Sequence, residues 1–243
     1  MSAPEAAVLV ELSGVSKAFG DDPETRVEVL HGIDLEIRAG EFVALIGPSG
    51  SGKSTLLNLL GLLDRATTGT LRIQGRDVAA LTDAELTRLR GETLGFVFQF
   101  HHLLPALSVA ENVMLPAAAL EGSLRAAQRP RAAQLLAAVG LEGQEDRPAG
   151  RLSGGMQQRV AVARALMNQP AVVYADEPTG NLDTASSDRV IELLQDWNAQ
   201  HDTAFVIVTH DPGIARRCRR VIELVDGRVV ADGPPSQVLG PQS

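Results

Sequence analysis

The run Gly47-Pro48-Ser49-Gly50-Ser51-Gly52-Lys53-Ser54 fits the pattern G-x-x-x-x-G-K-[ST]. Glycines at these spacings let the backbone curl until its N–H groups point inward, a concavity suited to phosphate oxygens. A helix beginning at the end of the run would add positive dipole at the same place. Lys53 then offers a long cation to the β- and γ-phosphates and Ser54 a hydroxyl to Mg²⁺; Thr55, the next residue, is a further binding candidate. At about 7% usage for glycine, a chance match somewhere in a chain of this length has a probability of roughly one in a hundred. The pattern therefore predicts a bound ATP-like polyphosphate with its Mg²⁺.

A second reactive pair closes the run Val172-Val173-Tyr174-Ala175-Asp176-Glu177. Acids at the carboxyl end of an apolar strand lie where open α/β sheets bind ligands. Neighbouring side chains on a strand point apart, so one acid can serve a metal while the other faces water. Asp176 is the candidate metal ligand and Glu177 the candidate general base. The third run is Leu152-Ser153-Gly154-Gly155-Met156-Gln157-Gln158-Arg159. Ser153 is suited to cap a helix, and the two glycines permit close approach of a ligand to its N-terminus, a second anion site. The helix that follows carries Met156, Val160, Ala163 and Met167 on one face and stops before Pro170.

Elements must hold these groups in place. Val8–Leu12, Val27–Leu30 and Ile33–Ile37 have the β-branched content and punctuation of strands, and Glu41–Ile46 is a buried strand feeding the glycine-rich loop. Ser54–Leu60 continues from the loop as a helix. From Ser108 to Leu141 the chain is rich in alanine and leucine at helical spacing, broken near Glu121–Ser123 and Pro130. After Pro170 strands and helices alternate: Ala171–Ala175, then the helix Thr184–Gln200, then Ala204–Val208. Val190, Leu193, Leu194 and Trp197 fall on one face of that helix, which predicts a core position for Trp197. Val221–Val225 and Arg228–Ala231 read as a hairpin around Asp226-Gly227. Parallel strands joined by helices imply a sheet covered on both faces.

Composition bounds the possibilities. The 243 residues suffice for one large α/β domain with an inserted subdomain, and 44% hydrophobic with 21% charged residues is ordinary for a globular chain. A net charge of -8 argues against nucleic acid as a general partner. Cys218 is the one cysteine, which fits a reducing cytosol. There is no apolar run long enough to span a bilayer, so no direct membrane insertion is expected. The N-terminal MSAPEAAVLVELSG lacks a basic segment and carries two early glutamates, unlike a secretion signal.

The run at Leu152–Arg159 resembles the LSGGQ signature of the ATP-binding-cassette (ABC) ATPases, with Met156 in place of the usual Gln. Other elements of that family stand in the same order. Gln99, after the strand Leu94–Phe98, resembles its Q-loop glutamine. Asn181-Leu182-Asp183 resembles its D-loop, and His210 its switch histidine. Phe19 stands where the family has an aromatic that stacks on adenine. The resemblance covers about Val8 to Gly233. It implies an α/β fold with a P-loop NTPase (RecA-like) core, an antiparallel β subdomain and an inserted α-helical subdomain. Residues 1–98 and 165–243 would form the β-rich and RecA-like core, and 99–164 the helical subdomain with the signature.

The resemblance also implies a mechanism. Two copies would face each other head to tail, and ATP on the phosphate loop of one would be capped by Ser153, Gly154 and Gly155 of the other, with Asp183 nearby. Glu177, His210 and Gln99 would organise the water and γ-phosphate, and Ser54, Gln99 and Asp176 the Mg²⁺. The partner would be an integral membrane permease, with this chain peripheral to it at the cytoplasmic face of the inner membrane. The run Gly95-Phe96-Val97-Phe98-Gln99-Phe100-His101-His102-Leu103-Leu104-Pro105 resembles the ATPases of lipoprotein-releasing systems, and Glu177–Asp183 fits the wider group that includes macrolide-export and cell-division types. In this family the segment after the glutamine touches the membrane partner. The alternatives are the ATPase of a macrolide-export-type or cell-division-type complex, a soluble ABC ATPase, which would carry a long coiled coil or two cassettes, and a P-loop kinase, which would not need the signature or the D-loop.

Overall fold

The computed structural model describes residues 6–20, 22 and 25–240. The first five residues of the N-terminal segment considered above lie outside this set. In chain order the elements are β1 (Val8–Phe19), β2 (Val27–Arg38), β3 (Phe42–Ile46), α1 (Lys53–Leu60), β4 (Thr68–Ile73), β5 (Arg76–Asp77), α2 (Asp83–Thr93), β6 (Leu94–Phe98), α3 (Val109–Glu121), α4 (Arg129–Ala138), α5 (Gly154–Ala165), β7 (Val172–Asp176), α6 (Thr184–Gln200), β8 (Ala204–Val208), α7 (Pro212–Arg216), β9 (Arg220–Val225), β10 (Arg228–Gly233) and α8 (Pro235–Val238). They form two compact units, residues 1–87 with 204–243, and residues 88–203.

The first unit holds an antiparallel sheet in the order β2-β1-β4-β5. β1 and β2 are each longer than the runs of alternating residues predict. Register shifts between Leu12 and Val15 and again near Lys17 carry the pairing through polar residues, and such bulges hide a strand's continuity from its pattern. The same unit holds β3, parallel to both β8 and β9, with β10 antiparallel to β9. β3 and β8 are apolar throughout, as strands buried on both faces require. The predicted hairpin is present: Asp226 and Gly227 have φ of 44° and 69°, the two left-handed residues of a type I′ turn.

The second unit holds the parallel pair β6–β7 and the helices α3 to α6. α3 opens on a capping box in which Ser108 accepts from Glu111 N and the Glu111 carboxylate accepts from Ser108 N. Pro130 proves to start α4 rather than break a helix, standing in its first turn where its missing N–H costs nothing. α6 has the predicted bounds, yet the face it buries is Val190, Ile191, Leu194 and Asn198. Trp197 is therefore only half-buried, its ring stacked on His201 at 4.1 Å. Asn198 takes the core position because its amide donates to the Thr203 carbonyl at 2.8 Å. Among the described residues no helix is long and apolar enough to cross a membrane.

Candidate functional site

In the first unit the phosphate-loop run lies between β3 and α1, the strand and helix that the pattern requires. Gly47, Gly50 and Gly52 have φ of 148°, 79° and 98°. A Cβ on Gly52 would stand 2.9 Å from Leu30 Cδ2. Pro48, Ser49 and Gly50 are exposed while Ser51 is buried, so the loop is rooted at one point and open along its rim. The root is the hairpin: Gly227 N donates to Ser51 O at 3.0 Å, and His31 N donates to Gly227 O at 2.9 Å. Lys53 Nζ donates to the Gly47 and Pro48 carbonyls at 2.8 and 2.7 Å, which holds the ammonium across the loop. Ser54 and Thr55 follow in the first turn of α1, which has no acid there to compete with an anion. A backbone concavity at a helix N-terminus with one fixed cation suits a polyphosphate.

Two more of the candidate residues belong to this unit. Phe19, the last residue of β1, is 46% exposed, a large apolar ring left open to solvent. His210 is exposed just beyond β8, on a turn in which Asp211 N donates to Thr209 Oγ1 at 3.1 Å.

In the second unit, β7 ends at Asp176, and Glu177 adopts φ of 45°. A left-handed residue without a glycine's freedom costs of order 1 kcal/mol and marks a position held by its surroundings. The turn closes with Gly180 N donating to Glu177 O at 3.0 Å. It sends the chain sharply away after Asp176, so the two acids do not continue the simple strand alternation that the sequence suggests.

Gln99, next after β6, is tied to the same segment. Its amide donates to Asn181 Oδ1 at 3.4 Å, and Asn181 Nδ2 donates back to the Gln99 carbonyl at 3.0 Å. A Cβ on Gly180 would stand 2.8 Å from Gln99 Nε2, so a larger residue there would displace the Gln99 side chain.

Ser153 caps α5 as predicted, with φ of -67°, ψ of 159° and its hydroxyl accepting from Met156 N. Gly155 lets α5 approach α6: a Cβ there would lie 3.0 Å from Ser186 Oγ. Asp183 caps α6 and is fully engaged in doing so, accepting from Ser186 N at 3.0 Å and Ser186 Oγ at 2.7 Å. The Ser186 hydroxyl, then its amide, hold the Asp183 carboxyl below its usual value. Beside the signature lies a small cleft of about 100 Å³ lined by Ser153, Gly155, Met156, Arg159, Ser186 and Arg189. The sequence reading did not single out Arg159 and Arg189. Burial, then the neighbouring Arg189 charge, lowers the Arg159 value, and Arg159 Nη1 donates to the Val139 and Gly140 carbonyls at 2.9 and 3.1 Å.

The run after Gln99 is held from behind by α5. Gln158, fully buried, accepts from His101 Nδ1 and donates to the Phe98 carbonyl at 3.3 Å. Arg164 donates to the His101 and His102 carbonyls at 2.6 and 2.8 Å. The outer side stays apolar and open, with Phe100 66% and Leu104 48% exposed. A cleft of about 170 Å³ beside it is lined by His101, His102, Leu103, Pro105 and Gln157, with Ala149 and Gly150.

Comparison with known proteins agrees with this arrangement. Residues 30–180 match the family described as ABC transporter. A lipoprotein-releasing system ATP-binding protein LolD of Anaeromyxobacter dehalogenans is 56% identical over 96% of this chain and 98% of its own length. A macrolide export ATP-binding/permease protein MacB of Azoarcus sp. is 48% identical over 96% of this chain, which spans 35% of that longer protein. The dimeric ATP-binding cassette MJ0796 in a post-hydrolysis state bound to ADP and Pi superposes with a TM-score of 0.83 at 40% identity, over 93% of this chain and 99% of that one. The α/β P-loop fold, the match across most of the chain and the motifs in their order lead to one conclusion: the chain belongs to the ABC transporter family, as one of its ATP-hydrolysing cassettes.

Proposed function

We propose that this cassette is the ATPase subunit of a lipoprotein-releasing transporter, working as a head-to-tail pair of copies on a membrane permease. The observation that supports the choice of system is identity: over 96% of this chain the lipoprotein-releasing relative is 56% identical and the macrolide-export relative 48%. In that reading the partner is an integral membrane permease, and this subunit binds it peripherally at the cytoplasmic face of the inner membrane.

Each candidate residue has a role in the proposal. Phe19 stacks on adenine, and the backbone of Gly47–Gly52 with Lys53 and Thr55 cradles the phosphates. Ser54, Gln99 and Asp176 are oxygen donors of the kind Mg²⁺ takes, and the bound ion would neutralise charge between the β- and γ-phosphates. Glu177 accepts a proton from the attacking water, while His210 and Gln99 orient that water against the γ-phosphate. Ser153, Gly154 and Gly155 of the second copy close over the same phosphate, with Asp183 keeping the adjoining helix start in place. Arg159 and Arg189 add to the attraction of their cleft for that charge. Within this scheme residues 99–164 act as the helical subdomain that carries the signature and meets the permease.

The exposed Phe100 and Leu104 suit burial against an apolar partner surface. The test is co-expression with a lipoprotein-releasing permease, followed by affinity purification and a lipoprotein-release assay in proteoliposomes. Changing Leu103 and Leu104 to Ser should abolish co-purification and stimulated release and leave ATP affinity within twofold. Release of a macrolide instead of lipoprotein would move the assignment to the export type.

A further inference from the structure

The structure assigns Lys17 as a positioning residue for the adenine platform: it holds one face of the Phe19 ring so that the opposite face is presented to the base already ordered. This rests on the reading of Phe19 as the adenine-stacking residue and deepens it.

β1 carries both residues, and Lys17 Nζ stands over the Phe19 ring, 4.8 Å from its centroid. The ammonium is anchored there. It donates to Asp64 Oδ1 at 2.6 Å and to the Arg65 carbonyl at 2.9 Å, and the Lys17 side chain is only 12% exposed. The anchoring segment is itself fastened to β1. Ala18 N donates to Thr67 Oγ1 at 2.9 Å, and Thr67 N donates to the Ser16 carbonyl at 2.9 Å. At its other end the segment is continuous with α1, since Leu63 N and Asp64 N both donate to the Asn58 carbonyl, at 2.8 and 3.3 Å. One acid, Asp64, thus ties the aromatic ring to the helix that begins at the phosphate loop.

The physical consequence concerns an exposed ring. Phe19 is 46% exposed, and a solvent-facing aromatic side chain that must stop moving on binding loses rotamer freedom at that moment. A buried-stem cation under the ring orders it beforehand, through attraction to the negative π face. Because the cation is locked to the segment after α1, the ring is also set at a fixed spacing from the phosphate cradle. Adenine and triphosphate would then be recognised as one rigid pair of sites.

The test measures affinity for two probes, MgATP and Mg-tripolyphosphate, by titration calorimetry on the full chain and its variants. Lys17→Met should weaken MgATP by about three- to tenfold and leave tripolyphosphate unchanged. Lys17→Arg should retain MgATP affinity, because the guanidinium keeps both the ring contact and the pairing with Asp64. In a Phe19→Leu background Lys17→Met should have no further effect. Equal loss for both probes, or a Lys17→Met penalty that persists without Phe19, would overturn the assignment. Phe19→Leu with undiminished MgATP affinity would remove the stacking reading itself, whereas loss in Phe19→Leu with none in Lys17→Met would remove only the role of Lys17. Asp64→Asn, which keeps the fold's shape and weakens the anchor, should reproduce a smaller, adenine-specific loss; a loss shared with tripolyphosphate would count against the proposal.

Discussion

Gly47 stands so close to Leu224 that a Cβ placed on it would lie 2.0 Å from the Leu224 carbonyl oxygen. The first glycine of the phosphate loop is thus pressed against the backbone of β9, and its φ of 148° is one that other residues rarely adopt. Gly47→Ala must push strand and loop apart. A cost of about 2–4 kcal/mol is expected, which lowers the melting temperature by roughly 5–15 °C for a chain of this size. ATP should restore less stability to the variant than to the parent, because the displaced loop binds it weakly. Thermal denaturation with and without ATP checks both points.

Glu177→Gln should keep the turn after β7, because the amide is the same size and the left-handed backbone is set by the chain around it. ATP binding should persist while turnover falls by about 10²–10⁴-fold, the usual weight of a general base. With hydrolysis stalled, the variant should run as a dimer in gel filtration with MgATP and as a monomer without it. Turnover near the parent rate would remove Glu177 as the base.

Cys218 lies buried after α7, with its thiol donating to the Ile214 carbonyl at 3.6 Å. Burial pushes the thiol up to about 12, with the flanking Arg217 and Arg219 charges opposing it only in part. A thiolate is the reactive form, so at pH 8 the native protein should react with a disulfide reagent orders of magnitude more slowly than a free thiol. Denaturant should restore the ordinary rate. Fast labelling of the native protein would show that α7 opens readily.

Glu111 carries a pH signature. The Ser108 backbone N–H, then the Ser108 hydroxyl, hold its carboxyl below the ordinary value of 4.5; burial opposes them, Arg129 assists and Asp146 opposes. A carboxyl lowered by folding stabilises the folded state at pH above its unfolded value, and the contribution disappears as pH falls through the folded value. Glu111→Ala should therefore be less stable than the parent at neutral pH, and the gap should narrow once pH drops below 4.5. Urea unfolding across that range measures it.

Much of this site was readable from residue types because its parts are local. A phosphate loop needs glycines, a lysine and a following helix, all within one short run, and Ser153 and Asp183 are capping residues immediately before the helices they cap. What escaped the sequence depends on distant neighbours. The face that α6 buries is rotated from the one its apolar residues suggest, because Asn198 finds a buried carbonyl at Thr203. Gln158 reads as a polar helix residue but lies fully buried, since the Phe98 carbonyl at the end of β6 and the His101 ring supply its partners. No pattern of residue types announces the left-handed backbone at Glu177, and the bulges in β1 replace alternation with geometry that only pairing reveals.

The mutual hydrogen bonds of Gln99 and Asn181 have no preferred direction. They join the segment following the two acids to the run that carries the exposed Phe100 and Leu104. For a cassette docked through that run, a partner that favours one posture of Gln99 must change nucleotide affinity by the same factor with which nucleotide changes partner affinity. The load on such an engine is therefore legible from its fuel gauge: measuring how tightly ATP is held reports how hard the other end is being pulled, before any cargo has moved.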